Sequence, residues 1–440
     1  MWHSLANNPL IQIFIALFVL ILFSFDRNLL ITQFLLGGRS NIWAVTTVTI
    51  FFLSYIVLIL TILKGKLSIR DSHKGLLLTI FSLAFYFLIH ELIFRDSLVS
   101  AKYTIFLFII GIALCLRYNF FFIFKILGYF GGIISLLLIL QQAALYFATS
   151  GNINEFDIVI RGEEWGRPGV CDYVAPFGLG LIERCAVGPE FMIGDFIINR
   201  SIFFSTEPKY AASILLVTFS CLLISPAKSL GKNFFIFLYF IAFLLILSAS
   251  AFFILIFSFL ILYLNFIGAK LYSAIVFLAP LFILPALIEF LLNLSGQEGY
   301  LFFRLFSAST DIGTGVFDIS LFGESFGQSC EGQLCNDVGL LGNLTSTYGF
   351  IGFLLFWLFF YKITYSMFES FKDQRVDKSL KLGMMILLNT YVIFNIYFFS
   401  DIFNMFGLFI ILTIILLPTY LYENNSSELS TNNQVSEKVY

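Results

Sequence analysis

The stretch Asn199-Arg200-Ser-Ile-Phe-Phe-Ser205-Thr206-Glu207-Pro208-Lys209-Tyr210-Ala211-Ala212 sets a guanidinium before a Ser-Thr-Glu-Pro turn that opens a long apolar run. That pattern puts a fixed cation beside a helix N-terminus, where unpaired backbone amides and positive charge together bind phosphate or pyrophosphate. The same residues also read structurally, with Ser205 or Thr206 as N-cap, Pro208 in the first turn and Arg200 reaching lipid headgroups. Upstream, Arg161-Gly-Glu-Glu-Trp-Gly-Arg167-Pro-Gly adds two guanidiniums, in a segment that also holds Glu163, Glu164, Asp172, Glu183, Glu190 and Asp195. Ion pairing competes with anion binding there. Downstream, Asp337 follows Cys335 and Asn336 just before a glycine-rich helix start, so it is placed to accept a proton or to cap a helix.

These groups need a scaffold, and composition indicates which kind. Of the 440 residues, 59% are hydrophobic and only 12% charged, with a mean hydropathy of +0.95. A water-soluble surface takes about 25% charged residues, so the solvent implied for this chain is lipid. A net charge of −2, with no basic cluster interleaved with aromatics, points away from nucleic acid. Twelve apolar runs are candidate spans: Pro9 to Phe25, Ile42 to Leu63, Gly75 to Phe94, Tyr103 to Leu116, Gly128 to Ala148, Tyr210 to Pro226, Phe234 to Ser250, Phe252 to Ile267, Ser273 to Leu294, Tyr348 to Tyr361, Leu382 to Phe399 and Ile402 to Tyr422. The first has no basic residue before it and no small-residue cleavage site after it, so it is expected to be retained as a span. Leu29 to Leu36 is too short to cross and ends in Gly37-Gly38, which suits an interfacial or re-entrant piece.

Lys and Arg set the orientation, because translocating them is costly. With the N-terminus inside, Lys64, Lys66, Arg70, Lys74, Arg117, Lys125, Lys228, Lys232, Lys270, Lys362, Lys372, Arg375, Lys378, Lys381 and Lys438 fall inside, fifteen of the 25 basic residues. The expected fold is therefore an all-α polytopic membrane protein with both termini inside. Its parts are membrane helices over 1–148, a first large outer loop over 149–209, helices over 210–294, a second large loop over 295–345, helices over 346–422 and a disordered inner tail over 423–440. No internal repeat of the sort found in repeat-built transporters is visible.

Of six Cys, Cys115 and Cys221 fall in spans, Cys171 and Cys185 in the first loop, and Cys330 and Cys335 in the second. Four Cys on one face suit an oxidising compartment. Pairing within each loop is the simplest of the three arrangements, and neither spacing is that of a zinc site. His90 and Glu91 near the end of the third run, Glu289 near the end of the ninth, and Asp26 after the first are either functional groups or residues solvated at headgroup level. Asn343-Leu-Thr345 matches a glycosylation tripeptide, a frequent pattern.

The pattern Arg-Ser-x-Phe-Phe-Ser-x-Glu-Pro-x-x-Ala-Ala leading into an apolar span, after five spans and before a second outer loop, resembles the Wzy-type O-antigen polymerase and O-antigen ligase superfamily of membrane glycosyltransferases. Some polymerases of that family carry in each large loop an Arg followed by ten residues and a Gly. Arg167 with Gly178 and Arg304 with Gly315 match. The resemblance implies a GT-C-like helical fold in the bacterial inner membrane, no metal or other cofactor, and polyprenyl-pyrophosphate-linked oligosaccharide as substrate. It also implies periplasmic arginines at the site, and a chain-length regulator as an optional partner.

Transfer from a lipid pyrophosphate develops negative charge on the leaving group, which a fixed guanidinium stabilises. Arg200, then Arg304, are the catalytic candidates, with Arg167 and Arg161 in substrate binding. The acceptor hydroxyl needs a group to orient it or take its proton. Asp337 is the first candidate, Glu207 and Glu324 the next. Ligases of this superfamily carry a His near the end of the second loop and this chain has none there, which favours the polymerase. A lipid-linked oligosaccharide flippase or transporter is the alternative from another class. It should line a path with charges deep in its spans, whereas this chain puts charge and Cys in two loops.

Overall fold

A computed structural model describes residues 71–94, 104, 107, 110, 121–160, 172–178, 180–184, 191–193, 196–203, 208–225, 230–264, 267–278, 321–323, 340–372, 376–398, 410–411 and 413–415. In chain order these include α1 (Asp71–Phe94), α2 (Phe121–Thr149), β1 (Ile158–Ile160), β2 (Asp172–Val174), β3 (Leu181–Arg184), β4 (Phe191–Ile193), β5 (Phe196–Ile198), β6 (Ser201–Phe203), α3 (Pro208–Ile224), α4 (Leu230–Ile246), α5 (Ala249–Leu264), α6 (Ala269–Leu278), α7 (Leu340–Phe371), α8 (Lys378–Thr390) and a π-helical stretch Tyr391–Phe398. The described residues are mostly helical, and two helical stretches, Phe124–Thr149 and Tyr348–Phe371, are long and apolar enough to cross a membrane. At 26 and 24 residues they rise about 39 and 36 Å, against about 30 Å of hydrocarbon.

Contacts divide the chain into two units, one built from 1–43, 120–262 and 378–390 and the other from 44–119, 263–377 and 391–440. In the first, α3 is the central helix. All but one of its residues from Ala211 to Ile224 are buried, and α2, α4 and α8 pack around it. Two of its polar side chains turn onto its own backbone: the Thr218 hydroxyl donates to the Ile214 carbonyl at 2.8 Å and Ser220 to Leu216 at 2.7 Å. In an apolar interior the i−4 carbonyl is the nearest acceptor. Close approach is made possible by Gly128 and Gly131 of α2, where a Cβ would collide with Leu222 and Thr218 of α3. The Tyr239 hydroxyl of α4 uses the same gap to donate to the Gly128 carbonyl at 2.8 Å. On the opposite side of α4, Phe234, Phe237, Phe240 and Leu244 are exposed, and so are Phe253, Ile256, Phe259, Leu260 and Tyr263 of α5. A helix apolar on both faces has no side fit for water.

Between α2 and α3 the chain folds a four-stranded antiparallel sheet in the order β1-β2-β3-β6 and a separate β4-β5 hairpin. This corrects the all-α expectation for the first loop. Strands of three and four residues are too short for alternation to stand out in the sequence, and their pairing is fixed by what they pack on. Ile153, Val174 and Ile182 bury against Leu145 at the end of α2, with Phe156 packed alongside.

The unit has two chemically different ends. The sheet sits where α2 ends and α3 begins. Lys125 lies near the start of α2, and the Lys232 ammonium donates to the carbonyls of Leu223 and Ser225 past the far end of α3. Lys378 and Lys381 open α8, whose Gly383 lies against Ser220, Leu223 and Ile224. These four lysines are therefore at the end away from the sheet, and Lys209, the second residue of α3, is at the sheet end.

In the second unit α1 and α6 each run antiparallel to α7. Gly75 faces Lys362 and Gly352 faces Tyr86. Tyr272 rings meet Phe360 and Phe368, while Phe277 meets Phe353 and Phe356. Lys74, Lys270, Lys362 and Lys372 share one end by this pairing. Lys372 donates to the Glu369 carboxylate at 2.6 Å, a bond that raises its ammonium above the ordinary value. At the other end α7 is broken at Gly349, whose φ of 64° and ψ of −169° lie where only glycine is at ease.

Several expectations shift at their edges. The helix expected over Tyr348 to Tyr361 runs on to Phe371, since one lysine at 362 does not stop a helix whose other faces stay apolar. It begins at Leu340, inside the segment assigned to the second loop. The break between the runs that end at Ser250 and start at Phe252 lies earlier, at Leu247-Ser248, with Leu247 at a φ of 51°. The runs Pro9 to Phe25 and Ile42 to Leu63, most of the runs from 103, 273 and 402, the piece Leu29 to Leu36 and the tail lie outside the described residues.

Candidate functional site

Asn199 and Arg200 form the short link between β5 and β6, and the neighbours on each side of Arg200 are fastened to α2. Gln142, seven residues before the end of α2, donates from Nε2 to the Asn199 carbonyl at 2.6 Å and to the Ser201 hydroxyl at 2.7 Å. The Asn199 carboxamide donates to the Gly151 carbonyl at 2.9 Å, and Gln141 donates to the Gly180 carbonyl at 2.7 Å. Gln141, Gln142, Asn199 and Ser201 are all buried. Two adjacent carboxamides in an apolar helix thus hold the loop backbone, because buried carbonyls with no donor are costly. Both amides are oriented by carbonyls that can only accept, which leaves Gln142 Oε1 buried without a hydrogen-bond partner.

Arg200 itself is half-buried. Its Nε donates to the Ile246 carbonyl at 3.4 Å and its Nη2 to the Leu247 carbonyl at 3.5 Å, at the C-terminal end of α4. Helix C-termini carry partial negative charge and attract guanidinium. The bonds are long, and carbonyls are neutral, so they aim the side chain without themselves cancelling its charge. Ser248 and Ser250, whose hydroxyls lie 3.0 Å apart, complete the α4–α5 turn beside it. The guanidinium is thereby held where the end of α4 meets the sheet.

Among the residues assigned to catalysis or substrate binding, Arg200 is the one the structure describes with its side chain. Pro208 is the first residue of α3, the position expected of it. Glu207, Arg161, Arg167, Arg304, Glu324 and Asp337 lie outside the described residues, as do Cys171, Cys185, Cys330, Cys335, Asp26 and Glu289. Cys221 is a buried free thiol in α3. His90 is not at a solvated boundary: it is 2% exposed, its ring 4.8 Å from that of Tyr348. A group near the end of an apolar run is buried when a neighbouring helix extends past it, which the run alone does not reveal. The glutamine pair was not singled out from the sequence, although Gln141-Gln142 in the middle of a long apolar run is a visible signal. Among the described residues no group of three or more His, Cys, Asp or Glu is placed to hold a metal ion. Comparison of the chain with family models, with curated proteins and with solved structures gives no match.

Proposed function

We propose that this chain is a multi-pass protein of the bacterial inner membrane that joins lipid-pyrophosphate-linked oligosaccharide repeats at the outer face, in the manner of an O-antigen polymerase. The observation that carries the reading is Arg200, aimed by the Ile246 and Leu247 carbonyls and flanked by two residues fastened to α2. In the transfer, an acceptor sugar hydroxyl attacks the anomeric carbon of the donor. The bond from that carbon to the pyrophosphate oxygen breaks, and the hydroxyl proton passes to a carboxylate, Asp337 or Glu207. Arg200 and Arg304 take up the charge that grows on the departing pyrophosphate, and Arg167, Arg161 and Glu324 hold the sugars. A guanidinium fixed before the reaction stabilises this charge without reorganising.

Two further observations support the orientation. Lysines other than Lys209 gather at the end of each unit away from the described outer-loop residues, in line with the positive-inside tendency. Apolar side chains cover the exposed faces of α4 and α5, which suits lipid contact. About twelve spans and a GT-C-like arrangement belong to the same proposal, with no cofactor and with a chain-length regulator as an optional partner.

The test is complementation of a polymerase-deficient strain, with membrane level and thermal midpoint of each variant measured alongside. Loss of one charge-assisted contact to the leaving group costs about 3 kcal/mol, or roughly a hundredfold in rate. Arg200→Ala should therefore nearly abolish polymer, and Arg200→Lys, which keeps charge but not the two-pronged grip, should recover part of it. Normal long-chain polymer from Arg200→Ala at equal protein level would reduce Arg200 to a cap on α4.

A further inference from the structure

The loop sheet carries a second feature that the chemistry at Arg200 does not use. Phe177 has φ 58° and ψ 12°, the left-handed region that bulky L-residues avoid. Packing does not account for this, because the side chain is 51% exposed. It meets the ring of Phe156 edge-on, with centroids 5.5 Å apart and planes at 72°. Phe156 is in turn packed on the buried cluster of Leu145, Ile153, Val174 and Ile182, so the support is fixed. The fold thus holds an aromatic face out to solvent in a backbone conformation that glycine would adopt more cheaply. Strain kept without a packing return marks a functional position.

The surroundings indicate what meets that face. The pairing of Ile158 with Val174 and the contact of Phe156 with Phe177 bring the segment before β1 near the one after β2, and Asn152, Asn154, Glu155 and Asp157 of the first segment are exposed. Asn152 accepts from the Asn154 backbone amide at 3.1 Å and donates to the Glu155 carboxylate at 3.3 Å, which orders part of this rim. Among the described residues, nothing lies within 4 Å of a Cβ placed on Gly178. Neither 152–158 nor 175–180 contains Lys or Arg. A basic rim would suit an anionic headgroup or phosphate. An apolar ring face edged by carboxylates and carboxamides instead matches a neutral polyhydroxyl ligand, whose C–H face stacks while its hydroxyls donate to the rim.

We propose that Phe177, backed by Phe156 and edged by Glu155 and Asp157, is a stacking platform for a pyranose ring of the oligosaccharide. The inference rests on the polymerase reading for the identity of that oligosaccharide, and its test does not depend on polymer being made. Full-length protein with p-benzoylphenylalanine at position 177, or at lipid-type position 237 on α4, is irradiated in source cells. The adducts are read by mass and by hydrazide labelling after periodate. A periodate-sensitive sugar adduct at 177, with fatty-acyl adducts alone at 237, is expected. Fatty-acyl adducts at 177, or none at 177 while 237 reacts, would overturn the platform. Deleting the chain from source cells separates the two ideas: normal polymer in the deletion strain, with the sugar adduct at 177 of the restored protein kept, sinks the polymerase reading and leaves the platform standing. Phe177→Gly relieves the backbone and should keep the thermal midpoint while lowering transfer about fivefold, the loss expected for one stacking contact. Phe177→Trp should restore transfer. A lower midpoint with unchanged transfer would make Phe177 a packing residue.

Discussion

The two units meet the same problem, a loop backbone packed on the end of apolar helices, and solve it differently. In the first, an unbroken α2 reaches out with carboxamides: Gln141 and Gln142 donate to the carbonyls of Gly180 and Asn199. In the second, the helix itself is opened. At Gly349 α7 leaves helical geometry, the Ile351 amide turns to the Leu321 carbonyl at 3.3 Å, and the Tyr86 hydroxyl donates to the Tyr348 carbonyl at 2.5 Å. That carbonyl is the one the Gly352 amide would meet in an unbroken helix. Tyr86 is thus inserted into the helix ladder, a recognised cause of a kink. Gly352 leaves room for it, since a Cβ there would press on Tyr348 and Tyr86. The difference teaches that apolar helices have almost no polar atoms to spare. Whichever few they carry, side-chain amides or their own freed backbone, become the joints to the loops.

The largest expected effect on this contrast is at Gln142. Gln142→Leu removes the donor to a buried carbonyl and a buried hydroxyl and should cost about 3 kcal/mol. Thermal denaturation in detergent reads the loss, and limited proteolysis should show faster cleavage within 150–207 while cleavage near 321–323 is unchanged. Equal protection of the first loop in wild type and variant would show that the sheet holds itself without α2. Gly349→Ala comes next, with about 2 kcal/mol, because alanine cannot take the observed dihedrals without strain. If the variant melts with wild-type midpoint, α7 tolerates closing into a continuous helix and the break is not required. Smallest is Tyr86→Phe, at about 1 kcal/mol for a phenol bond that helix closure can partly replace. A drop for Tyr86→Phe that vanishes when Gly349 is already alanine would show that the two residues form one device.

The sequence by itself settled the kind of molecule to expect, through hydrophobic content and the lengths of its apolar runs. Hydrophobicity is contributed by every residue in a run, so it adds up and is visible in one dimension. The start of α3 at Pro208 was legible for a local reason, since proline fits a first turn and little else in a helix. The run from 75 to 94 and that from 128 to 148 likewise fall within helices α1 and α2. Where local patterns are two to four residues long, only the tertiary structure decided. The strands of the first loop pair because α2 offers an apolar end at Leu145 and two donors, neither of which the loop sequence contains. Arg200 could be named from its neighbours in the chain, but its aim comes from carbonyls 46 and 47 positions away. Those become its neighbours only when α4 packs against α3. Phe177 looks like one of 58 phenylalanines in the sequence. Its backbone angle and its exposure arise from strand register, and register is a long-range property that no window along the chain records.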